Sequence, residues 1–437
     1  MRFRDFISAG LILLTPACAR EKTIDAIITE SLASAGASVA GLSIAIHRDQ
    51  EVLFEKAYGW SDLENKTKMT PDSILAIGSI TKQFTAAAIM KLVDEGQLNL
   101  DDKVSKILTD SPLKAANITV RHLLTHQSGL GDFEYTEQWM PQKALRLSSA
   151  AMEKMIATVP LTSDKPGQIF AYSSSGYYLL GRIIETISGQ PLGTYLEQQI
   201  FQAAGLKNTY WCDEATLIPF RAHGYGGKGG YTSELKELVN ADLVHLPQYG
   251  GAGALCSTAR DLIVWQKALE DGRVISHDAW QQMKNPINTA AGVPTHYGFG
   301  TIISAVADHK LIGHSGAVPG FTADSSWYPD SRLHIVVLCN SESTVSAVLS
   351  RRLAALLLNI PEPGLKPASE QLLQELSGTF KDESGATFEF FPDQGKLGLR
   401  VNGKDRPPFL YDGGRRFTRS DRLLHLTFGE SWVDLDR

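Results

Sequence analysis

The order of elements in this sequence predicts an α/β protein of the α+β kind, an antiparallel sheet flanked by a helical region, followed by a small C-terminal all-β domain. Three observations predict it. Strand-like runs stand at both ends of a mainly helical middle, so one sheet must be closed by segments distant in sequence. Pro361, Pro363 and Pro367 then interrupt the chain with a semi-rigid linker composition. Beyond them, short runs of alternating hydrophobicity are separated by turn residues.

Residues 1–19 read as a secretory signal. Arg2 and Arg4 precede an apolar run from Phe6 to Leu14, and Ala17-Cys18-Ala19 offers small residues at the two positions a signal peptidase inspects. A rival reading makes Cys18 a lipid-attachment cysteine, and either way the expected location is periplasmic or secreted. The apolar run is too short to span a bilayer, so no transmembrane helix is expected after signal removal.

Residues 20–360 form the expected main domain. A helix from Lys22 to Ser34 precedes strands at Gly41–Ile46 and around Glu51–Ala57. From Ser79 to Glu95 the pattern is helical and Ala-rich, with Gly96 placed to end it. Further helices are expected at Tyr177–Ile187 and Thr258–Leu269, and strands at Gly298–Ile303, Lys310–His314, Phe321–Tyr328 and Leu333–Leu338. After a linker at 361–368, residues 369–437 open with a short helix from Ser369 to Leu376. Alternating runs follow at Ala386–Phe391 and Leu423–Phe428, with a turn at Asp412-Gly413-Gly414, as in a small antiparallel barrel or sandwich whose core includes Phe388, Phe390 and Phe391.

With 437 residues, 43% of them hydrophobic, a formal charge of −6 and no long Lys/Arg block, the chain lacks the electrostatic footprint of a nucleic-acid binder. A small molecule or peptide is the expected partner. If cleavage follows Ala19, Cys212, Cys256 and Cys339 remain. One bridge is allowed in an oxidising compartment, but the expectation is buried thiols packed as small apolar groups.

Ser79-Ile80-Thr81-Lys82 places a hydroxyl and an amine three residues apart at the start of a predicted helix, hence on one face. A serine hydroxyl needs a neighbour to take its proton, and a desolvated lysine has its pKa lowered toward that role. The helix N-terminus adds backbone N–H groups for a developing oxyanion.

Two further motifs accompany this one, Tyr172-Ser173-Ser174 and Gly313-His314-Ser315-Gly316, along with the stretches Arg121–Leu130, Gly251–Leu262 and Val337–Asn340. With these, the sequence resembles the penicillin-recognising serine hydrolase superfamily. The likeness is to its class C β-lactamase-like branch of DD-peptidases, D-aminopeptidases and β-lactamase-fold esterases, and it runs from about Ile24 to Ile360. The resemblance implies a β-lactamase/transpeptidase-like fold and an acyl-enzyme on Ser79. It makes Lys82 and Tyr172 proton-exchange partners, the choice of base between them open.

It further implies an oxyanion hole from the N–H groups of Ser79 and Ala317, and a substrate site containing Ser174, His314, Ser315 and Gly316. His314 would help bind an anionic or polar group, Gly316 would let substrate lie along the strand, and no cofactor or metal is implied. Two departures from the family pattern matter: Ser174 stands where Asn is usual, and His314 where true class C β-lactamases have Lys. Both shift the expectation toward hydrolysis of small esters, amides or peptides, cell-wall peptides among them. A β-lactamase and a non-turnover penicillin- or peptide-binding sensor are the alternatives.

His122 and His126 lie four apart on a predicted helix, yet no third ligand is evident, so helix packing and loop anchoring are expected rather than zinc. Gly224–Gly229 formally matches a Gly-x-Gly-x-x-Gly loop but lacks βαβ context, which predicts a flexible loop near the site rim. No Gly-x-Ser-x-Gly occurs, which weakens an α/β-hydrolase reading.

Overall fold

A computed structural model describes residues 16–35, 38–113, 117–227, 237–360, 368–381, 387–393, 396–401, 404–413, 416–419, 425–428 and 433–436. The apolar run of the expected signal and most of the Pro-rich linker lie outside the described residues. The first described element is helix α1, Pro16–Ala35.

The main sheet takes its strands from both ends of the domain, as the sequence predicts. They are β1 (Gly41–Arg48), β2 (Glu51–Asp62), β3 (Thr67–Lys68), β4 (Ile302–Val306), β5 (His309–Val318), β6 (Phe321–Tyr328) and β7 (Leu333–Cys339), in the spatial order β3-β2-β1-β7-β6-β5-β4. Every ladder is antiparallel, and the sheet closes where β1 pairs with β7, Leu42 opposite Cys339. All seven residues of β7 are buried, because the sheet is covered on both faces.

The period-two alternation divides these residues between two cores. Ile335 and Val337 pack with Ile24 and Ile28 of α1 and with Leu349 and Leu353 of helix α6 (Val345–Leu357). Val336 and Leu338 face the helical region, where they join Phe84 and Met90 of α2 (Thr81–Asp94). α2 is buried almost all round, with Ala86, Ala87 and Ala88 allowing close approach of its neighbours, and Gly96 at φ +70° ends its last turn. The helical region also contains α3 (Val120–Leu124), α4 (Ser174–Ser188, ended by Gly189 at φ 68°) and α5 (Ala259–Glu270, capped by the Thr258 hydroxyl accepting from Asp261 N–H).

The C-terminal segment has its own small core of Ala368, Leu373, Leu376, Phe390, Leu397 and Leu399, in which helix α7 (Glu370–Leu376) takes part. Its strands β8 (Gly378–Lys381), β9 (Thr387–Asp393), β10 (Lys396–Val401), β11 (Lys404–Gly413), β12 (Arg416–Arg419), β13 (His425–Phe428) and β14 (Val433–Asp436) pair strictly in sequence order. This is one meander sheet rather than a two-sheet sandwich. Among the described residues no ladder joins β8 to β14 to close a barrel. Phe390 is buried, whereas Phe388 and Phe391 are half-buried, Phe391 lying under Arg400.

Candidate active site

Ser79 does not begin α2, as the sequence predicts; it sits in the preceding 3-10 turn, Gly78–Ile80. Gly78 has φ +50°, and a Cβ there would come within 2.7 Å of Ala317 N, so turn and strand β5 are pressed together. Lys82, one turn on, is fully buried. Its Nζ lies 2.9 Å from Ser79 Oγ, 3.0 Å from Ala252 O and 3.5 Å from Ser174 Oγ.

A neutral amine has two N–H donors and one lone pair. Ala252 O can only accept, and Ser174 Oγ takes the second N–H, which leaves the lone pair for the Ser79 hydroxyl. Desolvation lowers the Lys82 pKa to about 8, against the raising effect of Glu134 and Asp132.

Tyr172 stands on a loop, 38% exposed, with its ring 4.9 Å from Lys82 Nζ. Desolvation raises its pKa, opposed by a hydrogen bond with Ser79, and Glu134 and Asp132 push it further up. The structure therefore brings Ser79, Lys82, Tyr172 and Ser174 together.

Strand β5 supplies the opposite wall. Its pairing with β4 stops at Gly313–Ile302, so beyond Gly313 no strand among the described residues pairs with the outer edge of β5. His314 is buried, Tyr297 OH lies 3.0 Å from its Nε2 and the Ser315 carbonyl 2.6 Å from its Nδ1. With Nδ1–H donating to that carbonyl, Nε2 accepts from Tyr297. Desolvation and the nearby Lys82 lower its pKa to about 3. Both nitrogens are spent and the ring is neutral, which corrects the expectation that His314 offers a donor to an anionic substrate group.

Two more expectations change on this strand. Alternation puts the Ser315 side chain on the face of Leu311, opposite to His314, so only its backbone belongs to the site. Gly316 is required by the protein itself, since a Cβ there would lie 1.9 Å from Ile77 O and 3.1 Å from Ser79 N. These two close approaches also bring the backbone around Ser79 against that of Gly316 and Ala317.

Three groups that sequence reasoning passed over complete the site. Asp132 accepts from Ser174 N–H (2.9 Å) and from Glu134 N–H (3.1 Å), and Glu134 hydrogen-bonds the Ser174 side chain. Desolvation raises both carboxyls, Glu134 to about 7 with Asp132 adding to the rise. The third is Tyr297, whose ring packs 4.6 Å from His126 and 6.2 Å from Tyr172. Asp132 and Glu134 lie two and four residues past the Arg121–Leu130 stretch and Tyr297 is far from it, and nothing in their spacing marks burial.

The remaining candidates resolve structurally. His122 belongs to a capping box with Thr119, whose N–H donates to His122 Nδ1. His126 is not on that helix, which ends at Leu124; it occupies a turn at φ 55°. Gly224–Gly229 does not read as a flexible loop where it is described, because Tyr225–Gly227 is a buried strand paired with Leu238–Asn240, and residues 228 and 229 lie outside the described residues. Cys212 and Cys256 are bridged, Cα–Cα 5.4 Å, contrary to the expectation of packed free thiols; antiparallel pairing of Tyr210–Trp211 with Leu255–Ser257 brings them together. Cys339 is a buried free thiol.

Among the described residues Asp62, Glu64 and His223 bring metal-ligand atoms within 4.8 Å of one another. The Asp62 oxygens already accept from Asn65 N–H and Nδ2, and Glu64 Oε1 accepts from Asn240.

The family model described as Beta-lactamase matches residues 24–359. The chain belongs to the Beta-lactamase family. Within it, this family member is 27% identical over 310 residues to a D-aminopeptidase of Brucella anthropi, a match covering 70% of this chain and 57% of that protein. It is also 27% identical over 302 residues to penicillin-binding protein 4* of Bacillus subtilis (strain 168), covering 67% and 66%.

Among solved structures, the D-amino acid amidase from Ochrobactrum anthropi SV3 superposes with a TM-score of 0.68 at 27% identity, over 77% of this chain and 98% of the amidase. The octameric penicillin-binding protein homologue from Pyrococcus abyssi gives 0.68 at 28% identity, over 95% of each chain. The fold is that of the β-lactamase/transpeptidase-like hydrolases, as the sequence resemblance implied.

Proposed function

We propose that this chain is a serine hydrolase that forms an acyl-enzyme on Ser79 and cleaves small amides or short peptides bearing a free amino group. The observation that carries it is the buried Lys82 amine, 2.9 Å from Ser79 Oγ with its N–H groups matched to Ala252 O and Ser174 Oγ. Ser79 Oγ bonds to the substrate carbonyl carbon while its proton passes to neutral Lys82. The C–N bond then breaks, and Tyr172, its pKa raised and so protonated, passes a proton to the departing amine as Lys82 replaces it. Water repeats the sequence on the acyl-enzyme, and the N–H groups of Ser79 and Ala317 hold the oxyanion.

The acids favour a cationic substrate. When Lys82 is neutral, Asp132 and Glu134 lose their neighbouring positive charge, and a substrate ammonium restores it. The D-aminopeptidase and D-amino acid amidase relatives are in keeping with this substrate class. Esters, which ask little beyond nucleophile and oxyanion hole, are accepted too. Fast β-lactam turnover is disfavoured because His314 is neutral and internally bonded, which removes a carboxylate clamp.

Export to an oxidising compartment accompanies this reading. It is supported by the signal-like residues 1–19 and by the Cys212–Cys256 bridge, a bond characteristic of such compartments.

The test is kcat/KM on one preparation for D-alanine p-nitroanilide, its N-acetyl derivative, p-nitrophenyl butyrate and a chromogenic cephalosporin. The free anilide should exceed the acetylated one by roughly tenfold or more, about 1.4 kcal/mol of transition-state binding. A cephalosporin value above all others contradicts the reading, and a burst of one equivalent without turnover makes the chain a sensor.

A further inference from the structure

His126 has no part in the chemistry above, yet it touches the loop that carries Tyr172 from both sides. α3 ends at Leu124, and the chain then turns through His126 at φ 55°, a left-handed conformation that non-glycine residues rarely adopt. That turn aims its carbonyl and its ring at the same segment. Ala171 N–H donates to His126 O at 2.8 Å, and Ser173 N–H donates to His126 Nδ1 at 3.1 Å. The N–H groups of the two residues flanking Tyr172 are thus held by a single residue, and the His126 ring lies 4.2 Å from the Tyr172 ring.

We propose that His126 is the positioning residue that fixes the Tyr172 phenol against Ser79 and Lys82, its Nδ1 serving as the acceptor for Ser173 N–H. This rests on the assignment of Tyr172 to the proton path.

The tautomer follows from the geometry. Nδ1 accepts only when the proton sits on Nε2, and Nε2, buried among the rings of Phe170, Tyr172, Tyr177 and Tyr297, has no hydrogen-bond partner among the described residues. Desolvation, with Lys82 and His314 nearby, holds the ring neutral, so the acceptor persists across the working pH range. The neighbouring rungs run the same way: Gly167 N–H donates to Gln127 O at 2.7 Å and Thr162 N–H to Gly129 O at 2.9 Å. Those rungs hold the loop as a whole; His126 takes the backbone N–H groups of both residues adjacent to Tyr172, and Ser173 Oγ adds a bond to Gly131 O at 3.1 Å.

Two substitutions separate positioning from packing. His126→Asn keeps a side-chain acceptor and tolerates positive φ, whereas His126→Phe keeps the ring stack without the acceptor. For each variant we would measure kcat, KM, the labelling rate of Ser79 by a fluorophosphonate, the melting temperature, and hydrogen exchange in a peptide spanning residues 168–175. His126→Phe should lower kcat and labelling by roughly tenfold or more with little change in KM, in line with the ~10²-fold cost of a small misplacement. Exchange in that peptide should accelerate. His126→Asn should stay within about threefold of the parent, since an N–H···acceptor contact of this kind depends on keeping an acceptor atom for Ser173 N–H.

Equal impairment of both variants, or full activity in the Phe variant, overturns the proposal, as does rescue by Phe and not by Asn. If His126→Phe does not fold, His126→Ala replaces it in the same comparison. Should the parent fail to label at Ser79, the functional reading falls, while the exchange comparison still decides whether His126 holds the Tyr172 loop.

Discussion

At Lys82, burial and catalysis ask for the same thing. A buried ammonium is costly, so desolvation lowers the pKa to about 8 and makes the neutral amine available 2.9 Å from Ser79 Oγ, as the proposed base role requires. Because deprotonation activates, kcat/KM for p-nitrophenyl butyrate, a substrate without a titrating group, should climb with pH up to about 8 and level above it, where Tyr172, raised above the usual phenol value, stays protonated. A flat profile from about pH 6 to about pH 9 contradicts this assignment. Lys82→Ala and Tyr172→Phe should each lower turnover roughly 10²-fold or more, and the double variant no further than the worse single one, because both act on one proton path. Full additivity would separate their roles. The proximity of Ser79, Lys82 and Tyr172 was legible because the motifs that carry them can be read in the linear chain. Asp132, Glu134 and Tyr297 were not, since their importance comes from burial and from facing Lys82 or His314 across the fold, which no local pattern encodes.

Elements show the same division. The predicted strands Phe321–Tyr328 and Leu333–Leu338 match the structure almost residue for residue because their alternation serves two distinct cores. Gly298–Ile303 was too long: Gly298 N–H bonds Thr301 O in a turn, and Gly300, at φ +69°, lies where a Cβ would be 2.6 Å from Lys82 O, so the strand starts only at Ile302. The bridge between Cys212 and Cys256 depended on a strand pairing that sequence spacing did not reveal. It encloses a separation of 44 residues and ties Tyr210–Trp211 to the segment following Ala252, the Lys82 acceptor. Replacing both cysteines by serine should therefore reduce stability by about 4 kcal/mol in denaturant unfolding under oxidising conditions. An unchanged midpoint would mean that the bridge contributes nothing to the fold.

For the molecule as a whole, the cores decide what can stand alone. Residues Ile24 to Leu358 fill the two clusters flanking the main sheet, and the third cluster, from Ala368 onward, shares no member with them. A chain stopped after Ile360 should thus remain soluble and folded and hydrolyse a small ester at a kcat/KM within about threefold of the parent. Aggregation of the truncated chain would show that the parts share a core. The extra β sheet of the tail was legible from the change of period, whereas its single meander was not, since alternation alone does not say how a sheet closes. The central claim, that the assembled domain acylates Ser79, is tested most directly by reacting parent and Ser79→Ala with a fluorophosphonate and mapping the adduct by peptide mass spectrometry. The account predicts one equivalent on the peptide containing Ser79 and none in the variant at unchanged circular dichroism; an adduct on another residue, or equal labelling of the variant, contradicts it.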